Sequence, residues 1–67
     1  MKTTEWYPPD IQPMYEGVYE RDEDYGIFFS CWIYGRWGSS STDADQAFER
    51  RLSIAFRQNY PWRGLRK

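Results

Sequence analysis

Residues 27–34, with the sequence IFFSCWIY, form the stretch that decides the fold. Side chains alternate between the two faces of a strand. The first face therefore carries Ile27, Phe29, Cys31 and Ile33. The second face carries Phe28, Ser30, Trp32 and Tyr34. Because both faces are largely apolar, the pattern predicts a central strand that is covered on at least one side.

The segments around this strand predict an antiparallel meander. Residues 16–21 have the β-propensity of a preceding strand. Residues 22–26 are acidic, end in glycine and suit a hairpin loop. The dipeptide Gly35-Arg36 suits a tight type II′ turn into a short third strand around Trp37. These connections are too short for crossovers, so neighbouring strands should pair antiparallel.

Residues 43–58 have the periodicity of an amphipathic helix. Thr42 suits the N-cap position, and Asp45 follows three residues later in a pattern that resembles a capping box. Apolar residues recur at three- and four-residue spacing and form one stripe: Ala44, Ala47, Phe48, Leu52, Ala55 and Phe56. We expect this stripe to pack on the sheet face that carries Cys31.

The chain is expected to form one domain over residues 1–67. Residues 1–14 are rich in proline and predict an extended lead-in. The meander covers residues 16–38, the helix residues 43–58 and a basic tail residues 59–67. The predicted fold class is α+β, with a small three-stranded antiparallel sheet and one amphipathic helix packed on one face, in the order β-β-β-α.

The composition lacks the residues that most enzymes and metal sites need. The chain has no histidine and a single cysteine, Cys31. These counts exclude the usual zinc ligand sets and the usual base of serine and cysteine nucleophiles. We therefore expect no catalytic residues, no metal and no cofactor, and we expect Cys31 to be a buried, inert thiol.

No segment has the character of a membrane anchor or a signal peptide. The apolar run of residues 27–34 is far too short to span a bilayer. Residues 1–6 lack the apolar stretch of a signal peptide. We expect no membrane association, and the lone cysteine favours a reducing compartment such as the cytoplasm.

Aromatic residues are numerous, with fourteen in 67 positions, and each can bury roughly 150–250 Å². Five of them are expected in the core: Trp6, Phe29, Phe48, Phe56 and Trp62. The Trp62 ring could plug the sheet together with Leu65, or it could anchor an interface together with Arg63. The second face of residues 27–34 is either covered by the proline-rich lead-in or exposed as an aromatic platform.

Charge is distributed unevenly along the chain. Residues 1–49 carry ten acidic and three basic side chains, whereas residues 50–67 carry six basic and no acidic ones. A basic segment can attract a phosphate backbone or an acidic protein surface, or it can neutralise the acidic part of its own fold. Together with the hairpin aromatics, it supplies the candidate partner-binding residues Trp32, Tyr34, Arg36, Trp37, Arg50, Arg51, Arg57 and Arg63.

Several short motifs follow one another along the chain in a distinctive order. They are Trp6-Tyr7-Pro8, Pro13, Gly17-Val18-Tyr19-Glu20, Trp32 and Trp37 around Gly35, and Pro61-Trp62-Arg63-Gly64-Leu65. In order and spacing the chain resembles a family of small uncharacterised proteins encoded by bacteriophages and prophages. The resemblance implies an accessory protein that acts in the cytoplasm of a bacterial host.

Three functions follow from these features. The leading hypothesis is a non-enzymatic accessory protein that binds, and inhibits or redirects, a bacterial host protein or defence complex. The second is nucleic-acid binding through the basic C-terminal third. The third is a small homo-oligomeric structural protein of a phage, which buries its spare aromatic residues against further copies of itself.

Overall fold

A long antiparallel hairpin is the centre of the fold. The structure is a computed structural model, and it describes residues 6–64. Strand β1 (Gly17–Glu23) pairs with strand β2 (Gly26–Ile33) in a register that places Val18 opposite Cys31. Residues 24–25 form the turn between them. The predicted hairpin is present, but its turn is shorter than the predicted loop of residues 22–26, because residues 22–23 belong to β1 and residue 26 begins β2.

The second turn is formed by Tyr34 and Gly35, which have φ values of 57° and 73°. Two successive positive φ values are the feature that a type I′ turn requires. The predicted type II′ turn at Gly35-Arg36 is therefore wrong by one residue. Arg36 instead begins β3 (Arg36–Trp37), which pairs with β2 so that Trp37 lies opposite Trp32.

The positive φ of Tyr34 is a source of backbone strain that a substitution can test. A bulky residue in the left-handed region costs roughly 1–2 kcal/mol, whereas asparagine tolerates it. We expect Tyr34→Asn, which creates an Asn-Gly turn, to raise the free energy of unfolding by about 0.5–1 kcal/mol. Urea denaturation measures the change, and Tyr34→Ala, which keeps the steric penalty, is the matched control. Equal stability of the two variants would contradict the turn assignment.

The sheet has four strands, one more than predicted. Strand β4 (Trp62–Arg63) pairs antiparallel with β1, and the strand order is β3-β2-β1-β4. On the far side of β4, Tyr7 and Trp62 exchange backbone hydrogen bonds of 2.8 and 3.1 Å. The tail therefore folds back onto the sheet. Leu65, which was expected to take part in this contact, lies outside the described residues.

The helix is shorter than predicted. Helix α1 spans Ala44–Glu49, and its N-cap is Asp43, whose carboxylate accepts a 2.8 Å hydrogen bond from the Gln46 amide. Thr42 is therefore not the cap. After α1 the chain turns and runs extended, and Ile54 forms an antiparallel bridge with Gly38. Gly38 permits this close approach, because a Cβ there would lie 3.1 Å from the carbonyl oxygen of Arg51.

The main core lies on the face of the hairpin that carries Trp32, and not on the face that carries Cys31, where the sequence predicts it. It consists of Trp32, Trp37, Trp62 and Ala55, with Tyr19 packed against them. The Trp32 and Trp37 rings meet edge to face with centroids 5.0 Å apart. The Tyr7 ring stacks on Trp62 at 4.6 Å. Of the two alternatives for this face, covering by the lead-in is the one present, and Ala55 and Trp62 also cover it.

The helix lies on the other face. By alternation, Cys31 and Gly38 point away from the tryptophan core, and the backbone of residues 50–51 passes directly over Gly38. Cys31 and Ala47 are both buried, and α1 contacts β1 and β2. The predicted placement of the helix on the Cys31 face therefore agrees with the structure.

Three residues of the predicted helical stripe are not in the core. Phe48, Leu52 and Phe56 are exposed, and Phe56 is fully so. Leu52 and Phe56 lie beyond the end of the helix at Glu49 and no longer follow helical periodicity. Phe48 is within the helix, and its ring is covered by the Arg51 guanidinium at 4.2 Å and not by the sheet. Trp6 and Phe29, also expected in the core, are only half-buried.

Candidate functional site

Arg21 is a charged side chain buried at the centre of the sheet, with 0% of its surface exposed. Its guanidinium carbon lies 4.8 Å from the centroid of the Trp37 ring and 5.0 Å from that of Tyr60. Nη2 donates a 3.1 Å hydrogen bond to the carbonyl oxygen of Arg57. Nε and Nη1 have no hydrogen-bond partner among the described residues. This cation connects the sheet to residues 55–61, which run across this face from β3 to β4 and which we call the crossing segment.

Glu23 is the counter-ion of Arg21. Its carboxylate oxygen lies 3.7 Å from Nη1 of Arg21 and also accepts a hydrogen bond from the Ser40 hydroxyl. Burial lowers the pKa of Arg21 from its ordinary value, and the negative charge of Glu23 opposes that shift. The Ser40 hydroxyl and the carbonyl oxygen of Arg57 hold the two side chains in place.

A cleft of about 270 Å³ lies beside this ion pair. Its lining residues come from the turn between β1 and β2, from residues 39–40 after β3 and from the crossing segment: Glu23, Tyr25, Ser39, Ser40, Ala55, Phe56, Arg57 and Tyr60. Two aromatic rings at its rim are almost wholly in solvent, since Tyr25 is 94% exposed and Phe56 is fully exposed. We call this feature the aromatic cleft.

The wall of the aromatic cleft is fixed by polar contacts. The Tyr60 hydroxyl donates a 3.2 Å hydrogen bond to Asp24, and the Arg57 guanidinium lies 4.0 Å from the same carboxylate. Burial and, after it, the hydrogen bond to Asp24 raise the pKa of Tyr60. The cleft thus has a polar wall and an aromatic rim.

A second cleft, of about 380 Å³, lies on the same face at the other end of the hairpin. Trp32, Trp37, Arg36 and Ile54 contribute to its lining. Gln58 also lines it, and its side-chain amide accepts from the Trp37 amide at 2.8 Å and donates to the Trp37 carbonyl at 3.1 Å. The crossing segment is therefore fastened to the edge of β3.

The candidate residues of the second hairpin divide into buried and exposed ones. Trp32 and Trp37 are core residues, so they do not form an exposed platform. Tyr34 is exposed at the tip of the turn. Arg36 uses its guanidinium internally, with donors 3.5 and 3.4 Å from the carbonyl oxygens of Arg51 and Leu52.

The basic candidate residues lie in two separate places. Arg50, Arg51 and Arg57 lie on or near the segment that follows α1, although only Arg50 directly borders the short helix. Arg63 lies on β4, donates a 2.7 Å hydrogen bond to Glu20 and covers the Trp6 ring at 4.2 Å. Its charge is therefore used within the fold. Of the other three, Arg50 and Arg57 are exposed, whereas Arg51 is half-buried and donates a 2.9 Å hydrogen bond to the carbonyl oxygen of Phe48.

Arg57 is the one residue lining the aromatic cleft that was a candidate from the sequence; Tyr25, Phe56 and Tyr60 were not, and neither was Arg21 beside the cleft. One signal existed for Arg21, because it shares a strand face with Tyr19 in a β-rich segment. No local signal distinguishes Phe56 from a core residue, since its exposure depends on where the helix ends.

Three observations bear on the chemistry of the described residues. Over residues 6–64, no three acidic or cysteine side chains come together in a way that would hold a metal ion. Burial raises the pKa of the Cys31 thiol, which disfavours the nucleophilic thiolate. Across the same residues, no helix is long and apolar enough to cross a membrane.

Comparisons with known proteins gave no relative: no family model, no curated protein and no solved structure matches this chain. The properties of its own surface therefore carry the functional argument.

Proposed function

We propose that this chain is a non-enzymatic binding protein whose target is another protein, contacted through the rim of the aromatic cleft. The observation that carries the proposal is the full exposure of Phe56 next to Tyr25 and Arg57. Aromatic and arginine side chains dominate the energetics of protein interfaces. A contiguous exposed apolar patch marks an interaction site more often than it serves the free protein.

The setting we propose is that of an accessory protein of a bacteriophage, with a host protein or defence complex as the target in the bacterial cytoplasm. It rests on the resemblance of the motifs around Gly17-Val18-Tyr19-Glu20 and Pro61-Trp62-Arg63-Gly64-Leu65 to small phage and prophage proteins. Binding would inhibit or redirect the host protein.

A protein target is favoured over nucleic acid by the local use of the basic residues. Arg63 lies 2.7 Å from a carboxylate, and Arg36 and Arg51 donate to backbone carbonyls. Contacts to a phosphate backbone need several free cations along one path. Exposed Tyr25 and Phe56 also stand beside Glu23 and Asp24, whose charges repel phosphate.

The test is capture from a bacterial lysate by the tagged protein and two variants. We expect the wild-type protein to retain one specific host protein and Phe56→Asp to lose it, because the charge replaces the apolar anchor. Met14→Asp is the matched control, since Met14 is also exposed but lies at the other end of β1. Equal capture by both variants would refute the cleft as the binding site.

The alternatives give different results in the same series. Nucleic-acid binding predicts capture that disappears after nuclease treatment, and an affinity that falls with a slope of about −0.7 to −0.9 per phosphate contact in log K against log salt. A homo-oligomer predicts a sedimentation coefficient above that of the monomer at micromolar concentration. A clean monomer that binds host protein after nuclease treatment supports the proposal.

A further inference from the structure

The outer edge of the sheet beside β3 is formed by residues 52–56, which we call the edge segment. Its inward groups are used, because Ser53 O accepts from the Ser39 amide at 2.8 Å and the Ala55 amide donates to Trp37 O at 3.0 Å. The Gly38–Ile54 bridge turns the Ile54 amide away from the sheet, whereas Leu52 lies in the preceding turn and Phe56 in a bend. Within residues 6–64 the amides of these three residues donate to no backbone acceptor.

The side chains at the same three positions are apolar and exposed. Leu52 and Ile54 are each 64% exposed, and Phe56 is fully exposed. Proteins normally protect an open edge with charge, proline or a covering segment, because an unpaired edge is a template for another strand. The edge segment instead combines free backbone donors with apolar side chains, which is the combination that β-strand addition uses.

Basic side chains flank the edge segment at both of its ends. Arg50 and Arg51 precede it and Arg57 follows it. In the described part of the chain, Arg50 and Arg51 have no carboxylate within ion-pairing distance, and the Asp24 contact of Arg57 is long at 4.0 Å. The edge is thus apolar in its middle and basic at both ends.

We propose that the edge segment binds an extended segment of the partner protein as an additional antiparallel or parallel strand, and that this partner segment is apolar in its centre and acidic at its ends. The inference deepens the proposed function and rests on it. Backbone hydrogen bonds to Ile54 supply affinity, and the flanking arginines select acidic residues.

A second copy of this chain fits the edge less well. Antiparallel self-pairing about Ile54 places Arg51 of one copy opposite Arg57 of the other. Like charges directly opposite each other destabilise a strand pair. An acidic peptide turns the same positions into opposite-charge pairs, so charge complementarity favours a different protein as the occupant.

The experiment is a selection from a displayed library of random twelve-residue peptides on the full-length protein. We expect enrichment of sequences with three to five apolar or β-branched residues flanked by Asp or Glu. Ile54→Pro removes the outward amide and leaves the two inward hydrogen bonds in place, so it should weaken the best peptide at least tenfold. Ile54→Val keeps the amide and should bind within twofold of the wild type.

A second variant keeps the test valid if Ile54→Pro does not fold. The double substitution Arg50→Glu and Arg57→Glu should also weaken the acidic peptide at least tenfold, and a peptide with Lys in place of its acidic residues should recover binding. Enriched peptides without acidic residues, no enrichment, or unchanged binding to both variants would overturn the inference. Lysate capture that depends on Phe56 but not on Ile54 would leave the proposed function standing without it.

Discussion

Replacing Arg21 with alanine is expected to lower the free energy of unfolding by about 3–5 kcal/mol, because removal of one partner leaves the other charge of a buried pair uncompensated. Glu23 would retain the Ser40 hydroxyl but lose its cation. The space between the Trp37 and Tyr60 rings would also lose its filling. For a chain of this length, whose whole stability is roughly 3–10 kcal/mol, most molecules could unfold.

A second variant separates the charge from the packing. Arg21→Met fills much of the same space, and Glu23→Gln removes the orphaned charge, so the double variant should recover most of the loss of Arg21→Ala. Urea denaturation followed by tryptophan fluorescence measures all three proteins. A loss below about 1 kcal/mol for Arg21→Ala would mean that this guanidinium is hydrated and not enclosed.

Replacing Trp62 with alanine is expected to cost about 3–5 kcal/mol, the usual range for removing a buried tryptophan. Its ring stacks on Tyr7 and meets Tyr19 edge to face with centroids 5.2 Å apart. Its indole N–H also donates to the carbonyl oxygen of Ile11 at 2.6 Å. One side chain therefore fastens both the lead-in and β4 to the hairpin.

The control is Trp62→Phe, which keeps an aromatic ring but removes the indole donor. We expect it to cost about 1–3 kcal/mol, the range for a buried acceptor that loses its partner. Near-ultraviolet circular dichroism should lose its aromatic signal in Trp62→Ala and keep much of it in Trp62→Phe. If Trp62→Ala unfolded at the same urea concentration as the wild type, the tail would not be part of the core.

The meander could be predicted from the sequence because its signals are local. Alternation in residues 27–34 and the glycine after the acidic residues locate β2 and its first turn. The second turn begins one residue earlier than the sequence predicts. A glycine is the usual first residue of such a turn, and a tyrosine at positive φ is uncommon.

The inverted core and the short helix could not be predicted in this way. Alternation indicates that Trp32 shares a face with Phe28, but it does not say which face the rest of the chain will cover. The helix ends early because Ile54 forms an antiparallel bridge with Gly38, next to β3. That pairing is long-range, and helical periodicity in residues 43–58 hides it.

The residues of the candidate site also divide into those with a local sequence signal and those whose position depends on long-range contacts. Arg50, Arg51 and Arg57 were identifiable because their charge cluster is visible in the sequence, and the last of them lines the aromatic cleft. Arg21 was missed because buried arginines are rare and are recognised only by their partners. Phe56 was taken for a core residue, and its exposure is a consequence of the shortened helix.

The stability of Phe56→Asp tests most directly the claim that this chain turns part of its aromatic surface outward. Surface substitutions change the free energy of unfolding by about 0.5 kcal/mol or less, whereas a charge buried without a partner costs several times more. We predict a urea midpoint and slope that match those of the wild type within this margin. A loss above about 2 kcal/mol would place Phe56 in the core and contradict both the aromatic cleft and the edge segment as binding surfaces.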